Sequence, residues 1–203
     1  MHYSILFIGI LFFIANFAGC VVQSPPVSQD LGDAQGLPTQ ATKKEKSEGI
    51  LAWASEEKSF LLVDKSCGTV DLYRHGRLFK TYSAVFGRQP GSKVHEGDQR
   101  TPTGLYMIVD KISHPRWSRF LRLDYPNLQD RLRYQKDLAG GNIPKWTNGY
   151  PGVGGDIGIH GSDKENFNQA KINWTLGCVS LVNKDVQELD NLVSAGTLVY
   201  IKD

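Results

Sequence analysis

"GLYMIVDKI", residues 104–112, decides the class of the fold. It is a run of aromatic and β-branched side chains with no helix breaker inside it, and Thr101-Pro102-Thr103-Gly104 places a turn at its entrance, so it reads as a strand. Runs of the same kind stand on both sides: "FLLVDK" (60–65), "TVDLYR" (69–74), "LFKTYSAVFG" (78–87), "FLRLDY" (120–125) and "TLVYI" (197–201). Cys67-Gly68, His75-Gly76 and Gln89-Pro90-Gly91 separate the first of them as turns. The expectation is a mainly β domain, mostly antiparallel, with at least two short helices. One helix is expected over 128–138, with Leu128, Leu132, Gln135 and Leu138 at loose helical spacing. The other is expected over 183–196, capped by Asn183, lined by Val186, Leu189 and Val193, and ended by Gly196. Between them, 140–156 is too rich in Gly and Pro for regular structure and should form a long loop beside a site.

The chain before residue 49 has another character. Residues 1–19 hold no Asp, Glu, Lys or Arg and carry an apolar run too short to span a bilayer, which reads as a signal peptide. Ala18-Gly19-Cys20 reads as a lipobox that leaves Cys20 as the acylated first residue, and Val21 after it favours an outer membrane. Residues 20–48 are rich in Pro, Gln, Ser, Thr and Lys and should be a disordered tether, leaving 49–203 as the folded domain. With 23 basic and 21 acidic residues the net charge is only +2, so no electrostatic footprint for nucleic acid stands out. A membrane is met only through the lipid.

Chemistry concentrates in "DIGIHGSD" (156–163) and "NWTLGCVSL" (173–181). A thiol needs a base to attack at neutral pH, and a neighbouring imidazole can bring its pKa from about 8.5 into the range of about 3.5–7.5. Cys178 and His160 are therefore candidates for nucleophile and base, with the amides of Leu176, Gly177 and Cys178 able to meet an oxyanion. From the residues alone the plainer alternative stays open: a satisfied core histidine and a buried thiol. Cys67 is read as a small buried hydrophobe, although a bridge to Cys178 is conceivable. Trp146, Trp174, Arg100 and Ser180 are candidate substrate contacts, whereas His75, His95 and His114 read as surface histidines. Asp163 reads as a turn residue, and neither a metal set nor a cofactor motif is found; the Gly152, Gly154, Gly158 pattern opens a strand, unlike a nucleotide loop.

"IHG" followed by Thr-x-Gly-Cys and an apolar residue, with "GDQRTPTGLY" (97–106) and "LDYPN…DR" (123–131) ahead of them, resembles the L,D-transpeptidase (YkuD-like) catalytic domain over about Phe60 to Ile201. The "NWTLGCVSL" wording resembles one branch of that family, a branch that includes enzymes releasing proteins from peptidoglycan. The resemblance implies a β-sandwich or barrel in which Cys178 attacks the bond between an L-centre and a D-centre of a peptidoglycan stem peptide. It makes His160 the base, a carbonyl near Gly161 or Ser162 its orienter, and Gly177, Leu176 and Gly161 the backbone of the site. Two positions depart from the commoner pattern: Thr175-Leu176 stands where Ser-His is usual, and Ser180 where Arg or Asn often follows, which leaves the acceptor open. The implied protein is a periplasmic transferase; its rivals are an L,D-specific hydrolase with the same acyl-enzyme and a silent peptidoglycan-binding lipoprotein.

Overall fold

The computed structural model describes residues 59–203, all within one compact unit. The signal peptide, the Cys20 acylation and the tether lie outside the described residues. Eight strands follow in chain order: β1 (Phe60–Asp64), β2 (Thr69–Arg74), β3 (Arg77–Ser83), β4 (Gly104–His114), β5 (Ser118–Leu123), β6 (Gly158–His160), β7 (Val179–Ser180) and β8 (Leu198–Lys202). Three short helices accompany them, α1 (Leu128–Ala139), α2 (Glu165–Gln169) and α3 (Asn183–Leu192). The strands form one curled sheet in the order β3-β2-β1-β8-β4-β5-β6-β7. Fold class and main elements are as expected, with two additions. β1 pairs with β8 and β6 with β7 in parallel, and the five-residue α2 lies between β6 and β7.

Strand β4 is the joint of the sheet. Its first half pairs with β8 and its second with β5, and the β4–β5 register slips between Ile108 and Asp110. A slip of this kind bends a strand and increases local twist. The inner faces close over a core that includes Leu61, Val70, Leu72, Ile108, Leu121 and Ile159, all fully buried. α3 adds Val186 and Leu189 to that core, with Val193 just beyond its end, which is the helix face expected.

Three local readings are overturned. Asn183 does not cap α3. It is the first helical residue, and its carboxamide reaches back across the site, accepting from the Ser162 amide at 2.8 Å and donating to the Ser162 carbonyl at 2.9 Å. α1 also presents the opposite face: Leu128 and Leu132 are exposed, and the buried residue is Asp130. The reason is polar. Asn127 and Asp130 form a reciprocal capping box, and Asp130 accepts from the buried Tyr106 hydroxyl at 2.9 Å, which outweighs the weak apolar spacing. Cys67 is likewise no core filler. It sits part-exposed in the β1–β2 turn, its amide donating to the Asp64 carboxylate at 2.8 Å.

Candidate active site

Strand register brings the two candidate catalytic side chains together. Ile159 pairs with Val179 and His160 with Ser180, and Ile159 and Val179 point into the core. Side chains alternate between faces, so His160 and Cys178 share the other face. Gly158, two residues before His160, has no room for a side chain, since a Cβ there would lie 2.8 Å from the Phe120 ring and 2.6 Å from the Leu121 carbonyl. That face is the floor of a cleft of about 700 Å³ whose lining includes Cys178, His160, Trp117, Trp146, Trp174 and Leu176.

The turn before Cys178 is built around Thr175. Its buried hydroxyl donates to the Cys178 carbonyl at 2.7 Å and accepts the Gly177 amide at 3.2 Å, which is a physical reason for a hydroxyl three residues ahead of the thiol. Gly177 has φ +145°, and a Cβ there would meet the Arg100 carbonyl at 2.9 Å. The Gly177 amide is thus spent on Thr175, and the Gly161 amide on the Trp117 and Arg119 carbonyls at 3.0 and 3.3 Å. The Gly177 amide therefore does not match the oxyanion role expected for it, and the Gly161 amide is held by backbone. The Leu176 and Cys178 amides find no acceptor among the described residues.

His160 is held by a carbonyl. Its Nδ1 lies 2.5 Å from the Gly161 oxygen, and a carbonyl only accepts, so the hydrogen is on Nδ1 and the Nε2 lone pair is left for the cleft. Beneath this pair runs a polar relay: Asn168 donates to the fully buried Ser180 hydroxyl at 3.1 Å and accepts from the Trp174 indole at 3.1 Å. Ser180 is therefore support beneath the histidine, outside the cleft lining. The ring of His160 packs face to face on Trp117, centroids 4.6 Å apart, and edge-on to Trp174 at 6.0 Å.

The other sequence-based candidates separate. Trp146, Trp174 and Leu176 line the cleft, and Trp146 packs over Gly97 with half of its surface exposed. Arg100 is exposed and does not line it, and Arg88, Arg116 and Lys164 bring positive charge to the cleft. Asp163 is an exposed turn residue paired with Arg116 at 2.7 Å. His114 is not a free surface histidine, because it stacks on Trp117. In the "GDQR" segment, Asp98 is structural: it forms a buried ion pair with Lys93 at 2.9 Å and accepts the Val94, His95 and Arg100 amides. Trp117, Asn168 and Lys93 escaped the sequence reading: Trp117 and Lys93 lie far upstream of His160, and Asn168, although it stands between His160 and Cys178 in the chain, belongs to no local motif. Among the described residues, no three His, Cys, Asp or Glu side chains converge where a metal would be held.

Burial sets the protonation states. It pushes the Cys178 thiol up to about 11, opposed by the Gly158 amide and Lys93, and it pushes the His160 imidazole down to about 4, opposed by the Gly161 carbonyl. The resting pair is a neutral thiol beside a neutral imidazole. Burial disfavours both charged forms, the direction opposite to the activation expected from the sequence. Alkylation of Cys178 by iodoacetamide, followed by peptide mass mapping, is expected to rise with a midpoint well above the free-thiol value of about 8.5. A midpoint below 8.5 would show a preformed ion pair. Cys178 is a free thiol, which excludes the bridge to Cys67.

The L,D-transpeptidase catalytic domain (YkuD) family model matches residues 58–201. The chain belongs to this family. Among solved structures, the helical cell shape determining protein Pgp2 from Campylobacter jejuni is similar at 21% identity and TM-score 0.52, covering 77% of this chain and 55% of that one. Bd1075 from Bdellovibrio bacteriovorus is similar at 20% identity and TM-score 0.51, covering 72% and 48%. These likenesses concern the fold, and the chain spans about half the length of either protein. No curated protein sequence matches it.

Proposed function

We propose that this domain is a cysteine acyl transferase acting on peptidoglycan stem peptides, with Cys178 as nucleophile and His160 as general base. The observation that carries the reading is the His160–Gly161 contact, which commits Nδ1–H to a carbonyl and leaves Nε2 free to take a proton in the cleft that Cys178 lines. As Sγ attacks the carbonyl carbon at the L-centre, Nε2 removes the thiol hydrogen. The amides of Leu176 and Cys178 are the donors for the developing oxyanion. The tetrahedral adduct collapses by breaking the C–N bond, His160 returns its proton to the departing amine of the D-residue, and a thioester remains on Cys178. An amine acceptor then attacks the thioester, His160 taking its proton, and the thiol is restored. Proton removal during attack suits a pair that rests neutral, since no charge is carried into the closed site beforehand.

Partition between amine and water depends on holding the amine near the thioester. Leu176 and Trp146 supply apolar cover, and the 140–156 loop that carries Trp146 is anchored by the Tyr134 hydroxyl on the Pro151 carbonyl and by the Glu96 amide on the Gly152 carbonyl. With a tetrapeptide donor and a D-amino acid acceptor, an exchange product is expected beside free tripeptide, and shortening residues 145–152 is expected to move the balance toward tripeptide. Tripeptide alone at every acceptor concentration would replace the transferase reading with the hydrolase. The same proposal places the domain in the periplasm, held through lipid on Cys20 at the outer membrane of a Gram-negative cell, a reading supported by residues 1–21 of the sequence.

A further inference from the structure

The turn between β4 and β5 meets the histidine twice through one residue, Trp117. Its indole lies flat on the imidazole, the planes inclined by 24° at a centroid separation of 4.6 Å. Its main-chain carbonyl accepts the Gly161 amide at 3.0 Å, and Gly161 is the residue whose own carbonyl takes the Nδ1 hydrogen of His160. The other side of the indole is covered by His114, stacked at 4.4 Å and 16°. His114 Nδ1 in turn accepts the Arg116 and Trp117 amides, both at 3.2 Å, so the turn cannot shift without breaking contacts at each end.

Resting on the reading of His160 as the base, we propose that Trp117 is its positioning residue, the indole fixing the plane of the imidazole and closing that face to water while the carbonyl fixes Gly161. The charged and titratable groups around the ring are His114 and Arg116 from the turn, Asp163 from the segment after β6, and the Cys178 thiol across the cleft. Arg116 and Asp163 pair with each other, which leaves solvent exclusion as the largest influence on the imidazole. Trp117→Ala admits water to the ring and removes its flat support; Trp117→Phe keeps an aromatic face.

The test is an NMR pH titration of the His160 ring in the Cys178→Ala chain, with Trp117 kept or changed to Phe, Leu or Ala, alongside turnover of a tetrapeptide donor in the same Trp117 variants with the thiol intact. With Trp117 or Phe, His160 is expected to titrate near pH 4, and with Leu or Ala about 1 to 2 units higher, toward the free imidazole. Turnover is expected to fall about 10- to 100-fold in Ala and to recover largely in Phe. An unchanged titration in both Leu and Ala overturns the proposal, and Leu keeps the test open if Ala does not fold. The titration needs no turnover, so a chain that handles no stem peptide would defeat the function proposed above and still decide the role of Trp117.

Discussion

Cys178→Ala leaves no measurable turnover of a tetrapeptide donor, a loss of at least about 10⁴-fold, while the fold survives. The size follows from the pathway. Without Sγ there is no thioester, and His160 alone has only water to deprotonate. The fold is spared because the side chain is small and only part-buried, packed against the core rim, and its polar contacts are a 3.4 Å approach to the Asp156 carbonyl and the Gly158 amide. The thiol is moreover held away from water that would ionise it, so replacement by a methyl group removes no buried charge. A change in unfolding free energy of about 1 kcal/mol or less is expected. Mass resolution of muropeptide products gives the first number and urea unfolding the second. Activity above about 1% of the parent's would end the assignment of Cys178 as nucleophile.

Gly161→Ala is expected to be costly in both measurements. A Cβ at this position would lie 2.3 Å from the Asn183 Oδ1, 2.4 Å from the Trp117 carbonyl and 3.0 Å from Val186 Cγ1. Neither polar atom gives way cheaply. The Trp117 oxygen is backbone and already holds the Gly161 and Arg119 amides, while Asn183 Oδ1 accepts from the Ser162 amide and would strand that donor by turning away. Overpacking of this kind costs about 1–3 kcal/mol, and a stranded buried amide adds to it. Because the same residue carries the carbonyl that orients His160, turnover should fall about 100-fold even where the chain still folds. Wild-type unfolding and wild-type rate together would show that the approach of β4–β5 turn, Gly161 and α3 is looser than these distances imply.

The sequence by itself determined which segments become strands, because runs such as 69–74 and 104–112 carry their signal locally in β-branched and aromatic side chains with turns at their ends. It also determined the chemistry available, since a thiol after a glycine and an imidazole before one are visible wherever they end up. Tertiary structure decided what local spacing cannot reach. The apolar spacing of α1 predicted a Leu face, but the hydrogen bond from Tyr106, far upstream in the chain, buries Asp130 instead. Asn183 has the chemistry of a cap, yet its carboxamide is taken by Ser162 across the site. Arg100 stands in the family-like motif, but it is its carbonyl that packs against Gly177, and its side chain is not among those lining the cleft. Trp117 has no local sequence signal linking it to His160, because β4–β5 and β6 are neighbours only once the sheet has formed. Burial belongs to the same class: proximity of a thiol and an imidazole in the sequence suggests activation, whereas packing pushes the thiol pKa up and the imidazole pKa down.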